Sequence, residues 1–253
     1  MEKLSIVIIT YNEEKNIESC LKSVINIADE IVVLDSFSTD NTKQICEKYN
    51  VSFYEHKFDG HIQQKNRALF YAGYDYVLSL DADERLTENL RALIKTEKQD
   101  FKYDAYYFNR LNFYCKKFIK HSGWYPDRKL RLWNKNKGKW GGTNPHDKVI
   151  MNKNAKIKYL KADLLHYTFY TVEQHLNQIN KFTEIGANEA YKKGKKSNIA
   201  KILIKSIWKF FRNYFIKLGF LDGYYGFVVC SLTAQETFIK YVKLKEFNKD
   251  KKQ

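Results

Sequence analysis

Short apolar runs alternate with segments of helical periodicity along the first third of the chain. The runs predict four buried strands, at residues 4–9, 30–34, 52–56 and 76–80. Apolar residues at helical spacing predict helices between them, at residues 17–24, around 45–46 and at 61–72. Asn12 is expected to cap the first of these helices. This alternation predicts a parallel sheet with right-handed crossovers and helices on both faces.

Polar side chains stand where three of the predicted strands end. Thr10 and Tyr11 follow the first strand, Asp35 follows the second, and Asp81 and Asp83 follow the fourth. In open sheets of this kind, ligands bind outside the carboxyl ends of the strands. Because helix capping does not explain why separate polar groups converge on one edge, we expect a binding site there.

The two aspartates of Asp81-Ala82-Asp83 are spaced so that both carboxylates project on the same side of an extended chain. Two carboxylates held this close repel each other unless a cation lies between them. Hard oxygen ligands in this arrangement suit Mg²⁺ or Mn²⁺, which bind one or two carboxylates together with substrate phosphates. The alternative is that these acids are solvated and cap the following helix, near Thr87 and Glu88.

Composition narrows the classes of partner. The 253 residues carry a formal net charge of +15 and have a pI of about 9.4, which favours anionic partners such as nucleic acid, anionic lipid or phosphorylated substrates.

Neither a G-x-G-x-x-G nor a G-x-x-x-x-G-K-[ST] motif is present, which disfavours a Rossmann dinucleotide site and a P-loop. The four cysteines lie far apart and are typical of reduced cysteines in a cytosolic protein. We expect neither a secretion signal nor a membrane span.

A basic amphipathic segment dominates the last third of the chain, between predicted helices at residues 172–191 and 232–244. Apolar and aromatic residues fill most of residues 199–218, and Trp208 is suited to a lipid headgroup layer. Such a helix is expected to lie in an anionic membrane interface, and the alternative is a helix packed on the rest of the protein with its lysines outward. Its cations at near-helical spacing are Lys201, Lys205, Lys209, Arg212 and Lys217.

Four motifs occur at the ends of the predicted strands and in the helix before the last of them: SIVIITYNEE at residues 5–14, VVLDSFSTDNT at 32–42, QKNRAL at 64–69 and LDADE at 80–84. In their order and spacing the chain resembles family 2 glycosyltransferases, most strongly over residues 1–150. The resemblance implies the GT-A fold, an α/β fold with a mostly parallel, Rossmann-like sheet flanked by helices. It implies a catalytic domain at residues 1–165 and a basic helical extension at residues 166–253.

The resemblance also implies a nucleotide-sugar donor with a divalent cation, Mg²⁺ or Mn²⁺, at the strand ends. Asp83 is expected to bind the cation directly, with Asp81 as a second ligand or as a contact to ribose or metal-bound water. A turn or helix cap remains the alternative for Asp35, and a solvated basic helix face remains the alternative for Arg67. The residues expected to bind the donor are Thr10, Tyr11, Asn12, Glu13, Asp35, Lys65, Asn66, Asp81 and Ala82.

Displacement at the anomeric carbon of a sugar needs a base to take the proton of the acceptor hydroxyl. The segment that ends in His146 and Asp147 resembles the G-x-x-H-E segment of bacterial lipopolysaccharide-core glycosyltransferases, with Asp147 where Glu is usual. Asp147 is therefore the candidate catalytic base. His146 would orient the acceptor or reach the diphosphate, unless it is structural. The same alternatives apply to His166, which also matches a family position and would contact the diphosphate or the metal.

A compact cationic group follows a fifth predicted strand at residues 105–109. Arg128, Lys129 and Arg131 are suited to phosphate groups of the donor or the acceptor, and an ordinary basic surface is the alternative. We expect Arg128 and Arg131 to bind the nucleotide-sugar.

The stretch KLGFLDGYYGF at residues 217–227 extends the resemblance to lipopolysaccharide core β-1,4-glucosyltransferases over nearly the whole chain, and its glycines predict a turn between two helices. The implied activity is an inverting, metal-dependent transfer of a hexose, with glucose favoured, from a UDP-sugar to a lipopolysaccharide-core or other lipid-linked glycan. The implied location is cytoplasmic, at the inner face of the membrane. Alternative acceptors are capsule, exopolysaccharide or protein. A nucleic-acid-binding module is disfavoured because acids at the strand ends repel phosphate, and a non-catalytic scaffold is disfavoured by the intact aspartates.

Overall fold

The computed structural model describes residues 2–143 and 146–249, apart from the side chains of His146 and Lys249. The chain divides into two compact units. The first comprises the residues up to Arg110 together with Asp127–His166, and the second comprises Leu111–Pro126 and the chain from Tyr167 onward. The sequence analysis assigned residues 111–126 to the catalytic domain.

The first four strands of the first unit form the predicted parallel set, in the order β3-β2-β1-β4. Each is a short apolar run that is buried, except for the more exposed β3. The polar ends of β1, β2 and β4 therefore lie at one edge of the sheet. The elements are β1 (Leu4–Thr10), α1 (Ile17–Val24), β2 (Glu30–Asp35), α2 (Thr42–Cys46), β3 (Ser52–Glu55), α3 (His61–Tyr71) and β4 (Tyr76–Asp81).

Beyond β4 the sheet continues with antiparallel pairs, so the sheet is mixed rather than mostly parallel, while the α/β architecture is confirmed. The order from β4 is β8-β6-β11-β5, and β7 pairs with β6. Strands β9 and β10 form a separate antiparallel hairpin. The elements are β5 (Glu84–Leu86), α4 (Glu88–Glu97), β6 (Ala105–Tyr114), β7 (Lys117–Phe118), β8 (Asp127–Asn134), β9 (Gly138–Thr143), β10 (His146–Met151) and β11 (Ile157–Phe169).

Alternate residues of the central strands fill two cores, one on each face of the sheet. Ile6 and Ile8 of β1 pack in the core that contains the apolar side of α1, whereas Val7 packs in the core that contains Ala68 of α3 and Trp133 of β8. This alternation follows from the two-residue period of a strand. Helix α3 is thereby fixed against the face of the sheet that also holds Trp140 of β9.

The second unit is built mainly from α5 (Val172–Lys192), α6 (Ile199–Phe211) and α7 (Gly223–Lys249). A π-type turn at Arg212–Ile216 and a 3-10 turn at Gly219–Asp222 connect α6 to α7. The turn between two helices is therefore found, but the last helix starts at Gly223 rather than near residue 232. The glycines of this stretch serve close packing as well as the turn, since a Cβ on Gly226 would lie 2.0 Å from the carbonyl oxygen of Gly219.

Asp222 ties the start of α7 to the segment that precedes β8 in sequence. Its buried carboxylate accepts the backbone N–H groups of Lys120 and His121, at 3.2 and 2.8 Å. Among the described helices, none is by itself both long and apolar enough to span a membrane. The bent pair Ile199–Ile216 and Gly219–Asn248, with 70° between its two parts, meets those criteria when the two are counted together.

Candidate active site

The D-x-D sequence forms the turn between β4, which ends at Asp81, and β5, which starts at Glu84. Ala82 is buried in this turn. The helix that follows is capped by Thr87, whose Oγ1 accepts the N–H of Leu90 at 3.2 Å. Thr87, and not Asp81 or Asp83, therefore caps the helix that follows the turn.

Asp81 is held by two cations that come from different parts of the chain. Lys65 Nζ of α3 lies 3.0 Å from its Oδ1, and Arg131 Nη2 of β8 lies 2.9 Å from its Oδ2. Burial alone would favour the protonated form, but the charges of Lys65 and Arg131 outweigh it and hold the pKa of Asp81 well below its usual range. Asp81 is therefore a carboxylate at neutral pH.

Glu84 fixes the position of this turn, although the sequence analysis gave it no role. It is fully buried, and its Oε2 accepts the backbone N–H of Asp81 at 3.1 Å. Its Oε1 accepts Nη2 of Arg131 at 2.7 Å, and Arg110 Nη1 lies 3.8 Å away. The only sequence signal for Glu84 is that a third acid directly follows the D-x-D pair.

The two carboxylate oxygens of Asp83 have different surroundings. Its Oδ2 lies 3.2 Å from Nε2 of His166 on β11, and its buried Oδ1 has no hydrogen-bond partner in the described part of the chain. Since burial of an unpaired carboxylate oxygen is costly, this atom fits a cation ligand. Within residues 2–143 and 146–249, no group of three or more His, Cys, Asp or Glu side chains is arranged to hold a metal ion.

Lys65 contacts both Asp147 on β10 and Asp81 of the D-x-D turn, which shows that the two carboxylates lie close to each other. Lys65 Nζ donates to Oδ2 of Asp147 at 2.8 Å, and the ring centroid of Trp140 lies 4.4 Å from the same ammonium. The guanidinium carbon of Arg131 lies 5.1 Å from that ring. His146 also belongs to β10, but its side chain lies outside the described residues.

Asn66 fixes the β9–β10 hairpin against α3. Its side-chain amide donates to the carbonyl oxygen of Trp140 at 2.9 Å and accepts the Trp140 N–H at 3.1 Å. Both ends of the Asn66 amide are thereby engaged with backbone. We conclude that Asn66 positions the ring of Trp140 beside Lys65.

The end of β1 supplies the other predicted donor-binding residues. Thr10 is buried, and its Oγ1 has no hydrogen-bond partner among the residues that the structure describes, whereas Tyr11 is exposed. Asn12 does not cap α1: its φ is 53°, and its Oδ1 accepts the N–H of Thr39 at 2.8 Å. Burial of Glu13 raises the pKa of its carboxyl to about 7, against the hydrogen bond from Asn16, and Asp83 adds to the rise.

Asp35 at the end of β2 is buried and holds the turn that follows it. Its two oxygens accept the backbone N–H and the hydroxyl of Ser38, at 2.6 and 2.5 Å. The carboxylate thus has the turn role that the sequence analysis left open, at the same edge of the sheet as Thr10, to which it is register-paired.

The cationic group of residues 128–131 is divided by the fold. Only Arg131 reaches the D-x-D turn. The guanidinium carbon of Arg128 lies 5.0 Å from the ring of Tyr159, and Lys129 pairs with Asp127. Arg67 pairs with Asp59 at 2.8 Å, in agreement with the alternative of a solvated helix face.

This geometry agrees with the similarity of the chain to known proteins. The model of the family described as Glycosyl transferase family 2 matches residues 5–193. The chain belongs to glycosyltransferase family 2. The expectation of a glycosyltransferase with the GT-A fold is thereby confirmed.

Relatives of this family 2 glycosyltransferase cover nearly its whole length. A protein of Rickettsia typhi named as an uncharacterized glycosyltransferase is 33% identical over 98% of this chain and 88% of its own length. The lipopolysaccharide core biosynthesis glycosyltransferase LpsC of Rhizobium meliloti is 26% identical over 94% and 93%. The crystal structure of S. aureus TarS 1-349 has a TM-score of 0.47 and 17% identity, covering 98% of this chain and 92% of that one.

Proposed function

We propose that this glycosyltransferase transfers a hexose, with glucose favoured, from a UDP-sugar to a lipopolysaccharide-core or other lipid-linked glycan, with inversion at the anomeric carbon. The observation that carries the proposal is the contact of one buried ammonium, Lys65, with both Asp81 of the D-x-D turn and Asp147. A candidate base and a candidate metal ligand therefore lie within reach of one side chain, as transfer from a nucleotide-diphosphate sugar requires.

Asp147 is the proposed catalytic base. Its carboxylate accepts the proton of the acceptor hydroxyl as that oxygen forms a bond to the anomeric carbon. The bond from the anomeric carbon to the UDP oxygen breaks in the same displacement, and UDP leaves with the bonding electrons. Because the acceptor attacks opposite the leaving group, the product has inverted configuration. Lys65 holds the base carboxylate in place through its 2.8 Å contact.

Asp83 is the proposed protein ligand of a divalent cation, with Asp81 beside it. The Oδ1 of Asp83, which has no hydrogen-bond partner within the described residues, supports this assignment, because Mg²⁺ and Mn²⁺ combine one or two protein carboxylates with phosphate oxygens and waters. The cation would neutralise charge on the departing diphosphate. Glu84 and Arg131 keep the turn in position, and His166 orients the Asp83 carboxylate from its other oxygen.

The donor is proposed to lie along the ends of β1, β2 and β4. Thr10 and Asp35 are buried at that edge, and Tyr11 is exposed beside them. The similarity to LpsC, which is named for lipopolysaccharide core biosynthesis, supports a lipid-linked glycan as the acceptor. The same chemistry on a capsule, exopolysaccharide or protein acceptor is the alternative.

We also propose that α6 binds the surface of an anionic membrane. Only Ile202 of this helix is buried, whereas the side chains of Ile204 and Ile207 are 64% and 68% exposed. Lys205 is exposed among these apolar residues, and Lys201 and Lys209 of the same helix are half-buried. One-signed charge beside an apolar face suits anionic lipid. Other exposed apolar residues in this region are Ile199, Leu203, Trp208, Phe211, Phe215 and Ile216.

The test of the proposed chemistry is UDP release by the purified protein with a panel of UDP-sugars, in Mn²⁺, Mg²⁺ or EDTA. We expect turnover of one UDP-hexose that EDTA abolishes. Asp83→Ala should abolish it as well, whereas Asp100→Ala, at an exposed aspartate outside the site, should leave it unchanged. Calorimetric titration with UDP and Mn²⁺ separates a missing acceptor from a missing site, and no binding there would refute the proposal.

A further inference from the structure

The contacts of Lys65 point to a second role for this residue. We propose that Lys65 is a place-holder cation: in the donor-free protein its ammonium neutralises Asp81 and Asp147, and it leaves Asp81 when a divalent cation binds the D-x-D turn. The inference rests on the proposed function. It makes Lys65 a positioning residue that links loading of the metal-bound donor to the carboxylate proposed as the base.

The burial of Lys65 makes its charge effective at the D-x-D turn. Its side chain is 4% exposed, and its ammonium lies 3.0 Å from Asp81 and 2.8 Å from Asp147. Away from water, charges at such distances interact far more strongly than they do in solution. Without this ammonium, the two carboxylates would lie near each other with Arg131 as the remaining neighbouring cation described at Asp81.

Arg131 and Lys65 are not equally free to give way to a metal ion. Arg131 is held by Glu84 at 2.7 Å, and Glu84 in turn fixes the Asp81 backbone. Lys65 reaches Asp81 at the end of a flexible four-carbon chain and has a second carboxylate partner in Asp147. A divalent cation at the turn repels both residues, and the lysine can move toward Asp147 without losing every partner.

This exchange would couple the proposed metal site at the D-x-D turn to Asp147, the proposed base. When the ammonium leaves Asp81, it stays with Asp147 and the Trp140 ring, which lies 4.4 Å away and is itself held by Asn66. The bound cation therefore lies at a D-x-D turn with one competing positive charge fewer. A purely structural role for Lys65 would make no such connection between the lysine and the affinity for metal.

Mn²⁺ titration of the full-length protein without nucleotide, followed by electron paramagnetic resonance, tests the inference. We expect Lys65→Met to bind Mn²⁺ about tenfold more tightly than wild type, which corresponds to about 1.4 kcal/mol. Lys65→Arg keeps the charge and should bind as weakly as wild type. Lys98→Met is the matched control, because Lys98 is another buried lysine that pairs with a carboxylate, Asp29, away from this turn.

Thermal unfolding of each variant shows whether it remains folded, and Lys65→Arg supplies a second comparison if Lys65→Met is destabilised. Equal or weaker Mn²⁺ binding by folded Lys65→Met would overturn the inference and leave the proposed function standing. A similar gain of affinity in Lys98→Met would overturn it too, since the effect would not be local. No Mn²⁺ binding by any variant, even with UDP, would refute the proposed metal site along with the inference.

Discussion

Glu84 and Arg131 form an ion pair from which solvent is excluded: Glu84 Oε1 lies 2.7 Å from Arg131 Nη2, and the two side chains are 0% and 3% exposed. The same guanidinium reaches Asp81, and the other Glu84 oxygen accepts the Asp81 N–H. Both the backbone N–H and the carboxylate of Asp81 are therefore held in place, and with them the turn that carries the proposed metal ligands. Burial opposes the charge of Arg131, but Glu84 and Asp81 outweigh it and raise the pKa of the guanidinium further above its usual value.

Glu84→Gln should destabilise the protein strongly. It leaves Arg131 buried with only part of its negative partners, and breaking a buried ion pair costs about 3–5 kcal/mol. Urea unfolding followed by circular dichroism measures the change. The control is Glu88→Gln, at a glutamate whose side chain is 95% exposed although it pairs with Arg91. Loss of this surface ion pair should lower the free energy of unfolding by less than about 1 kcal/mol. Equal effects of the two changes would contradict the role assigned to Glu84.

Asp147→Asn should lower kcat by about 10²- to 10⁴-fold, the usual contribution of a general base. The affinity for UDP in EDTA should change little, because Asn keeps an oxygen that can accept from Lys65. Steady-state kinetics with the identified donor and calorimetry with UDP separate the two effects. Asp59→Asn, at an aspartate that pairs with Arg67 outside the site, is the control. A variant that retains most of its kcat would exclude Asp147 as the base.

The carboxyl of Glu13 should make stability depend on pH. Because burial raises its pKa from 4.5 to about 7, the folded protein binds this proton more tightly than the unfolded chain does. The stability that the proton contributes is present below about pH 4.5 and is lost as pH rises through 7. Glu13→Gln removes this loss, so its advantage in melting temperature over wild type should grow between pH 5 and pH 8 in EDTA. An advantage that does not change with pH would contradict the assignment.

Replacement of exposed apolar residues of α6 should weaken membrane binding. The double variant Ile204→Asp/Ile207→Asp removes two side chains, each of which contributes roughly 1.5–3 kcal/mol when it is fully buried in an apolar phase. We expect co-sedimentation with phosphatidylglycerol vesicles to fall at least about tenfold. The control is Phe70→Asp, at a residue of α3 that is 82% exposed. If the two variants sediment alike, α6 is not the binding surface.

The dependence of vesicle binding on salt and on lipid charge distinguishes the contribution of the lysine charges from that of the apolar side chains of α6. The wild type should bind neutral phosphatidylcholine vesicles less well than anionic ones, and added salt should reduce the difference because it screens the lysine charges. Binding that is indifferent to lipid charge would contradict the proposed contribution of the lysines.

The sequence by itself determined the parallel half of the sheet and the edge where the site lies. Short continuous apolar runs and helices between them are local signals, so β1, β2, β3 and β4 were predicted within about two residues of their bounds. The polar residues that end β1, β2 and β4 follow directly, because parallel strands bring their carboxyl ends to one edge. The D-x-D motif was placed at that edge for the same reason, but as an extended chain, whereas in the structure Ala82 and Asp83 form a turn.

Only the tertiary structure decided which charged groups meet at that edge. Lys65 and Asp147 are 82 positions apart, and Glu84 and Arg131 are 47 positions apart. Arg128 and Arg131 belong to one cationic run, yet only Arg131 turns into the site. No local periodicity encodes these pairings, because they depend on the antiparallel strands and on the hairpin packed against α3. The sequence therefore determined where the site lies, and long-range packing decided which partner holds each carboxylate.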